Sequence, residues 1–212
     1  MQKLFITATG TNVGKTYATL RLIEKISQSG IRVGVCKPIE TGVDTQPIDA
    51  KAILSATQLY NSNFLPLSPK DITAYTFPLP AAPFCADVDS SIDIDKIIDK
   101  IDELSKLCDL LIIEGAGGLM VPITDEFMMI DLIKAVDAKA LLVTPSRLGS
   151  INDTLLSIEA LNSREIDFDW CVNIYENKES FDIVTKPYYD SKFPEWMSLE
   201  VLVSNHYHKL ST

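Results

Sequence analysis

The sequence contains no C-x-x-C pair and no Cys/His cluster: Cys36, Cys85, Cys108 and Cys171 stand apart, and its two histidines are His206 and His208. That spacing excludes a structural zinc site and a thioredoxin-like redox pair. Cys36, Cys108 and Cys171 lie in or beside apolar runs, the usual setting of a buried free thiol. No apolar stretch reaches the ~18–20 residues that span a bilayer. The first residues, MQKLFITATG, lack the apolar core of a secretory signal. Positive charge is also scarce, with 19 Lys and Arg against 29 Asp and Glu and a formal net charge of −10. A nucleic-acid partner ordinarily leaves a basic footprint, so none is expected. A phosphorylated small ligand stays open, because it needs only a local group of donors. The expectation is a soluble, cytoplasmic protein with no membrane and no nucleic-acid partner.

The chain has 212 residues, 46% of them hydrophobic, which suits one domain over 1–212. Continuous apolar runs predict strands at Lys3–Thr7, Arg32–Lys37, Leu110–Ile113, Ala140–Thr144 and Trp170–Asn173. Helix-period segments fall between them, near Lys15–Ser29, Ile48–Tyr60, Ile94–Cys108, Met128–Val136 and Ile151–Asn162. Gly30 suits a helix stop and Asp93 a helix cap. Runs that are apolar throughout, rather than alternating, belong to strands covered on both faces. The fold class is therefore α/β, a mostly parallel sheet with helices on both faces. Such sheets bind ligands beyond the carboxyl ends of their strands. The proline-rich stretch Asn61–Ala86 reads as a long ordered loop, not a linker, and His206 and His208 read as exposed tail residues.

At the end of the first strand stands ATGTNVGKT, Ala8–Thr16, leading directly into a helix. A helix N-terminus attracts phosphate through its free N–H groups and positive dipole end. Gly14 lets the backbone approach a β-phosphate, Lys15 reaches the β- and γ-oxygens, and the Thr16 hydroxyl ligates magnesium. The strict phosphate-loop pattern asks for glycine at position 9, where this chain has Thr9, with Gly10 following. A plain strand–helix turn leaves unexplained why Lys15 occupies the buried first turn. The fold expected is accordingly a single-domain P-loop NTPase-like one.

Two further strand ends carry candidate chemistry. Glu114 closes an apolar run and precedes Gly115, Ala116, Gly117 and Gly118. A carboxylate at a strand tip holds magnesium, and glycines let N–H groups face an anion. The plainer alternative is a glycine turn with an exposed glutamate. Lys37 ends the second strand, where a cation neutralises charge on a transferring phosphoryl group, although a strand-end lysine is ordinarily solvated. Asp49, opening a helix, reads by itself as an N-cap or first-turn carboxylate.

Together these pieces resemble the dethiobiotin synthetase family. The resemblance rests on TGTNVGKT at Thr9–Thr16, KPIETG at Lys37–Gly42, DAKA at Asp49–Ala52 and IEGAGG at Ile113–Gly118. It extends to AYTFPLPAAP at Ala74–Pro83, RLGSIN at Arg147–Asn152 and Asn173, and covers about Met1–Asn173. Ala8 and Gly10 stand where the family has glycine and aspartate, and Phe84 where it often has histidine. The tail after about residue 174 diverges from the family's base-clamping loop, which predicts a looser choice of nucleotide base.

The resemblance implies a magnesium-dependent ligase that uses ATP, carbon dioxide or bicarbonate, and 7,8-diaminopelargonic acid. The product, dethiobiotin, arises through a carbamate and a carbamic–phosphoric anhydride. It implies Lys37 and Lys15 as catalytic cations and Thr16, Asp49 and Glu114 as magnesium ligands. It implies Asn12, Val13, Gly14, Lys15, Thr16, Tyr17, Asp49, Glu114, Gly115, Ala116, Gly117 and Asn173 around the nucleotide. Thr11, Thr41, Ser150, Ile151 and Asn152 would hold the substrate, the last three receiving its tail carboxylate across a homodimer. Partitioning-type switch ATPases carry a second lysine where this chain has Gly10, and corrinoid amidoligases carry a glutaminase domain for which 212 residues leave no room. A non-catalytic nucleotide-binding module is the remaining alternative.

Overall fold

The protein is described by a computed structural model covering residues 2–176 and 178–210. Its first half runs β1 (Gln2–Ala8), α1 (Lys15–Gln28), β2 (Val33–Cys36), β3 (Ile39–Thr41), α2 (Ile48–Gln58), β4 (Tyr75–Phe77), α3 (Pro83–Ala86) and α4 (Ile94–Ser105). The second half runs β5 (Leu110–Gly118), α5 (Met129–Ala135), β6 (Lys139–Pro145), α6 (Ser150–Ser163), β7 (Phe168–Asn173), α7 (Lys178–Val184), α8 (Lys186–Lys192), β8 (Met197–Ser198) and α9 (Leu199–Val201). Six strands form one sheet in the order β2-β5-β1-β6-β7-β8, every neighbouring pair parallel. Among the described residues, no helix is long and apolar enough to cross a membrane.

The apolar runs account for the centre of this sheet. Leu4, Phe5 and Ile6 of β1, Leu111–Ile113 of β5 and Leu141–Val143 of β6 are all fully buried. Successive strand residues point to opposite faces, so consecutive burial means that both faces are covered. Helix α1 packs through Ala18, Leu22 and Ile26, four residues apart and therefore on one stripe. Gly30, with φ +93°, follows its end, and the Asp93 side chain accepts from Asp95 N–H at the start of α4.

The structure corrects two expectations. The strand expected to stop before Glu114 continues to Gly118, because β1 reaches Ala8 and offers its edge as far as the Ala8–Gly118 pair. Glu114 is thus inside β5, opposite Ile6, and not in a turn beyond it. The stretch Asn61–Ala86 is ordered as expected, yet contains two 3₁₀ turns, strand β4 paired parallel with β3, and α3. The divergent tail is not peripheral. Its β8 pairs with β7, and Trp170, Phe181, Phe193 and Trp196 pack around Tyr189 in a second small core. Tyr189 is fully buried, with its hydroxyl 3.0 Å from Thr154 Oγ1 on α6.

Candidate active site

The carboxyl ends of β1, β2, β3 and β5 converge on the loop before α1. Gly14 occupies the N-cap of α1 with φ +105°, a conformation that side chains rarely adopt. A β-carbon there would stand 2.2 Å from Asn173 Nδ2. The next residue, Lys15, is buried and turns back so that Nζ donates to the Gly10 carbonyl at 2.9 Å. Burial, with repulsion from Lys37 added, lowers its pKa to about 8 despite the attraction of Glu114 and Asp49.

Glu114, fully buried, is the hub of the site. Its Oε1 accepts from Thr16 Oγ1 at 2.9 Å and from Lys37 Nζ at 2.8 Å. Lys37 also donates to the Gly115 carbonyl at 3.1 Å and lies 3.6 Å from Asp49 Oδ2. Burial alone would depress the Lys37 pKa, but the Glu114 and Asp49 carboxylates outweigh it and hold the lysine above its ordinary range. The second Glu114 oxygen, Oε2, is buried without a hydrogen-bond partner. An orphaned carboxylate oxygen in this position is costly, and a cation would satisfy it.

Glutamate, aspartate and a hydroxyl therefore meet at one place, all hard oxygen donors of the kind magnesium accepts. Among the described residues no group of three or more His, Cys, Asp or Glu side chains forms a metal cage. Two carboxylates and a hydroxyl suit magnesium, which keeps several waters and takes the rest of its shell from substrate phosphates.

Lys15, Thr16, Lys37 and Asp49 border a cavity of about 610 Å³ that also includes Thr11, Asn12, Gly14, Thr41, Ala116 and Gly117, while Glu114 lies buried behind them. Its far wall is Pro80–Pro83, brought over by the β3–β4 pairing of Thr41 with Phe77. Glu40 faces the same cavity, a residue that the sequence offered only as the variable position of KPIETG. Phe84 is half exposed on α3, with its N–H bonded to the Pro122 carbonyl.

A second cavity of about 340 Å³ adjoins the phosphate loop, bordered by Asn12, Gly14, Tyr17, Asn173, Ile174, Tyr175 and Glu200. Asn173 Nδ2 donates to the Val13 carbonyl at 2.9 Å, and Tyr175 Oη donates to the Asn12 carbonyl at 3.0 Å. Tyr17 Oη donates to Glu200 Oε1 at 2.6 Å. The tail thus supplies part of this wall, through Tyr175 and through Glu200 of α9. Sequence reasoning missed Tyr175 and Glu200 because no motif marks them.

Not every expected residue joins these cavities. Val13 and Gly115 are buried and contribute carbonyls to Asn173 and Lys37. Ser150 is fully buried at the start of α6, its hydroxyl directed to no partner; Ile151 is half-buried and Asn152 exposed. None of the three lines either cavity. His208 is exposed and stands edge-on to Tyr207, whereas the side chain of His206 lies outside the described residues.

A family described as an AAA domain matches residues 2–182. An ATP-dependent dethiobiotin synthetase BioD of Sulfurovum sp. (strain NBC37-1) is 61% identical over 198 residues, 93% of this chain and 94% of that protein. The protein of the same name from Wolinella succinogenes is 40% identical, over 91% of this chain and 90% of its own. Among solved structures, the MinC:MinD cell division protein complex of Aquifex aeolicus matches with a TM-score of 0.55 at 18% identity. That match covers 93% of this chain and 79% of the other. A ParA family ATPase from Chlorobium tepidum gives 0.55 at 15% identity, covering 93% and 83%. At such identities the likeness is one of fold.

Proposed function

The chain belongs to the dethiobiotin synthetase family, and on that premise we propose that it closes the ureido ring of dethiobiotin from 7,8-diaminopelargonic acid, carbon dioxide and ATP. The observation that carries the reading is the Thr16–Glu114–Lys37 group beside the phosphate loop, its ion pair buried and Glu114 Oε2 unsatisfied. An amine of the substrate takes up carbon dioxide as a carbamate. The carbamate oxygen attacks the γ-phosphorus of ATP and ADP departs. The second amine then attacks the mixed anhydride, the ring closes and phosphate leaves.

Each residue has a proposed part in this sequence. Thr16, Asp49 and Glu114 hold magnesium, which offsets the negative charge of the phosphates. Lys15 leaves the Gly10 carbonyl for the β- and γ-oxygens, a cation already desolvated for the purpose. Lys37 stabilises the charge that builds as the phosphoryl group moves, an interaction stronger in the transition state than before it. Thr11 and Thr41 orient the diamine in the larger cavity. Asn12, Val13, Gly14, Gly115, Ala116 and Gly117 frame the phosphates, and Tyr17 and Asn173 the nucleoside.

Ser150, Ile151 and Asn152 lie outside that cavity, and in this reading a second copy of the chain would bring them to the substrate's carboxylate. Leu156 of α6 and Met120 are exposed apolar residues that border one shallow groove and suit such a homodimer. Four unpaired cysteines suit a reducing cytoplasm. The deciding experiment measures phosphate release from ATP with the diamine and bicarbonate supplied separately and together. Release that requires both supports the synthetase; release with neither overturns it in favour of a switch ATPase.

A further inference from the structure

Helix α2 begins without a cap of its own. Its N-cap residue is Pro47, which has no polar side chain, and no side-chain cap is made from that position. A capping side chain ordinarily accepts from the N–H of the second or third helical residue. In α2 these are Asp49 and Ala50, and both are satisfied from elsewhere: Asp49 N–H donates to Glu40 Oε1 at 3.0 Å and Ala50 N–H to Glu40 Oε2 at 2.9 Å. Glu40 is 7% exposed and sits on β3, one residue before Thr41 and three after Lys37. The carboxylate also places negative charge at the positive end of the helix.

We infer that Glu40 is a positioning residue that fixes the first turn of α2, and with it Asp49, against Lys37 and Glu114. Both Glu40 oxygens are engaged by backbone N–H groups, which holds its side chain against the start of α2. The link is short. One carboxylate grips the backbone of Asp49, whose own carboxylate lies 3.6 Å from Lys37 Nζ. Because β3 pairs with β4 at Glu40–Thr76, the grip is anchored to the segment that also forms the cavity's proline wall. The proposal rests on the reading of Asp49 as a magnesium ligand.

The test compares the wild type with Glu40→Gln, an isosteric change that presents an amide N–H₂ to one of the two backbone donors. Hydrogen exchange at the amides of Asp49 and Ala50 should quicken by about tenfold, the effect of losing a helix cap. Calorimetry should show weaker binding of magnesium with ADP, and the magnesium needed for half-maximal turnover should rise by a similar factor. The KM for the diamine should stay within about twofold, since a group not touching substrate alters its binding little. Adding Pro47→Asp, which supplies an ordinary N-cap carboxylate, should restore slow exchange and the metal affinity. Unchanged exchange at both amides overturns the proposal. So does a raised diamine KM at unaltered magnesium affinity, which would make Glu40 a substrate ligand. If the single variant does not fold, recovery of a folded protein by the added Pro47→Asp supports the proposal and its failure overturns it. The exchange and calorimetric readings do not depend on turnover. A wild type that makes no dethiobiotin would sink the proposed reaction while these readings still decide the role of Glu40.

Discussion

Lys37 Nζ lies 2.8 Å from Glu114 Oε1 with both side chains out of water, so each charge is the other's principal compensation. Lys37→Met should therefore do two things at once. Leaving Glu114 buried and unpaired should cost ~3–5 kcal/mol of stability in metal-free protein, visible as a lower midpoint in urea. Turnover should fall by on the order of 10²–10³, the loss expected for one preorganised charge at a transferring group, with nucleotide affinity changed far less. Glu114→Gln added to Lys37→Met should recover much of the stability and none of the activity. If Lys37→Met is as stable as wild type and nearly as fast, the pair has neither role.

The base of the nucleotide should be chosen more narrowly than the divergent tail suggests. The Val13 carbonyl can accept only from the nitrogen of the Asn173 amide, so Asn173, which borders the second cavity, keeps Oδ1 as its acceptor. An acceptor there suits the amino groups of adenine and cytosine and opposes the carbonyl oxygens of guanine and uracil. A mispaired buried acceptor costs ~1–3 kcal/mol, so kcat/KM should favour ATP and CTP over GTP and UTP by roughly 5- to 150-fold. Equal rates with all four triphosphates would show that Asn173 does not read the base.

Much of this architecture is legible in the chain, and the reasons for the remainder are physical. Lys3–Thr7 and Ala140–Thr144 announce their strands because both faces are buried and Leu4–Ile6 and Ala140–Val143 are apolar without a break. The GKT at Gly14–Thr16 is legible because phosphate binding needs those residue types consecutively. By contrast, β3 and β8 have three and two residues, too few for any period to show. The pairing of Tyr17 with Glu200 spans 183 positions and depends on where β8 joins the sheet. Glu40 caps a helix that starts eight residues later, so the usual capping signal next to the helix is replaced by a proline.

The thiols should separate cleanly by reactivity. Cys36 and Cys171 are buried and held well above the ordinary thiol range by desolvation, and desolvation pushes Cys108 up to about 12. Cys85 is exposed on α3. Thiolate is the reactive form, so a chromogenic disulfide at neutral pH should titrate Cys85 rapidly in the folded protein and the other three only after denaturation. Prompt modification of a second thiol under native conditions would contradict this packing.

Gly14 is held by two separate constraints, and substitution there tests both. Its φ of +105° strains any residue with a β-carbon, at ~1–3 kcal/mol. Independently, that carbon would fall 2.2 Å from Asn173 Nδ2, forcing the amide off the Val13 carbonyl, for another ~1–3 kcal/mol of overpacking. Gly14→Ala should lower stability by the sum of the two and raise the KM for ATP, because the strained turn presents the backbone to phosphate and the displaced amide faces the base. Asn173→Ala removes the obstruction but not the strain. The double variant Gly14→Ala/Asn173→Ala should therefore be more stable than the sum of the two single changes predicts, by about the overpacking cost, a non-additivity that urea unfolding of the four proteins measures. Simple additivity of the two substitutions would mean that the Gly14 backbone conformation alone requires glycine, and that Asn173 is free to move aside.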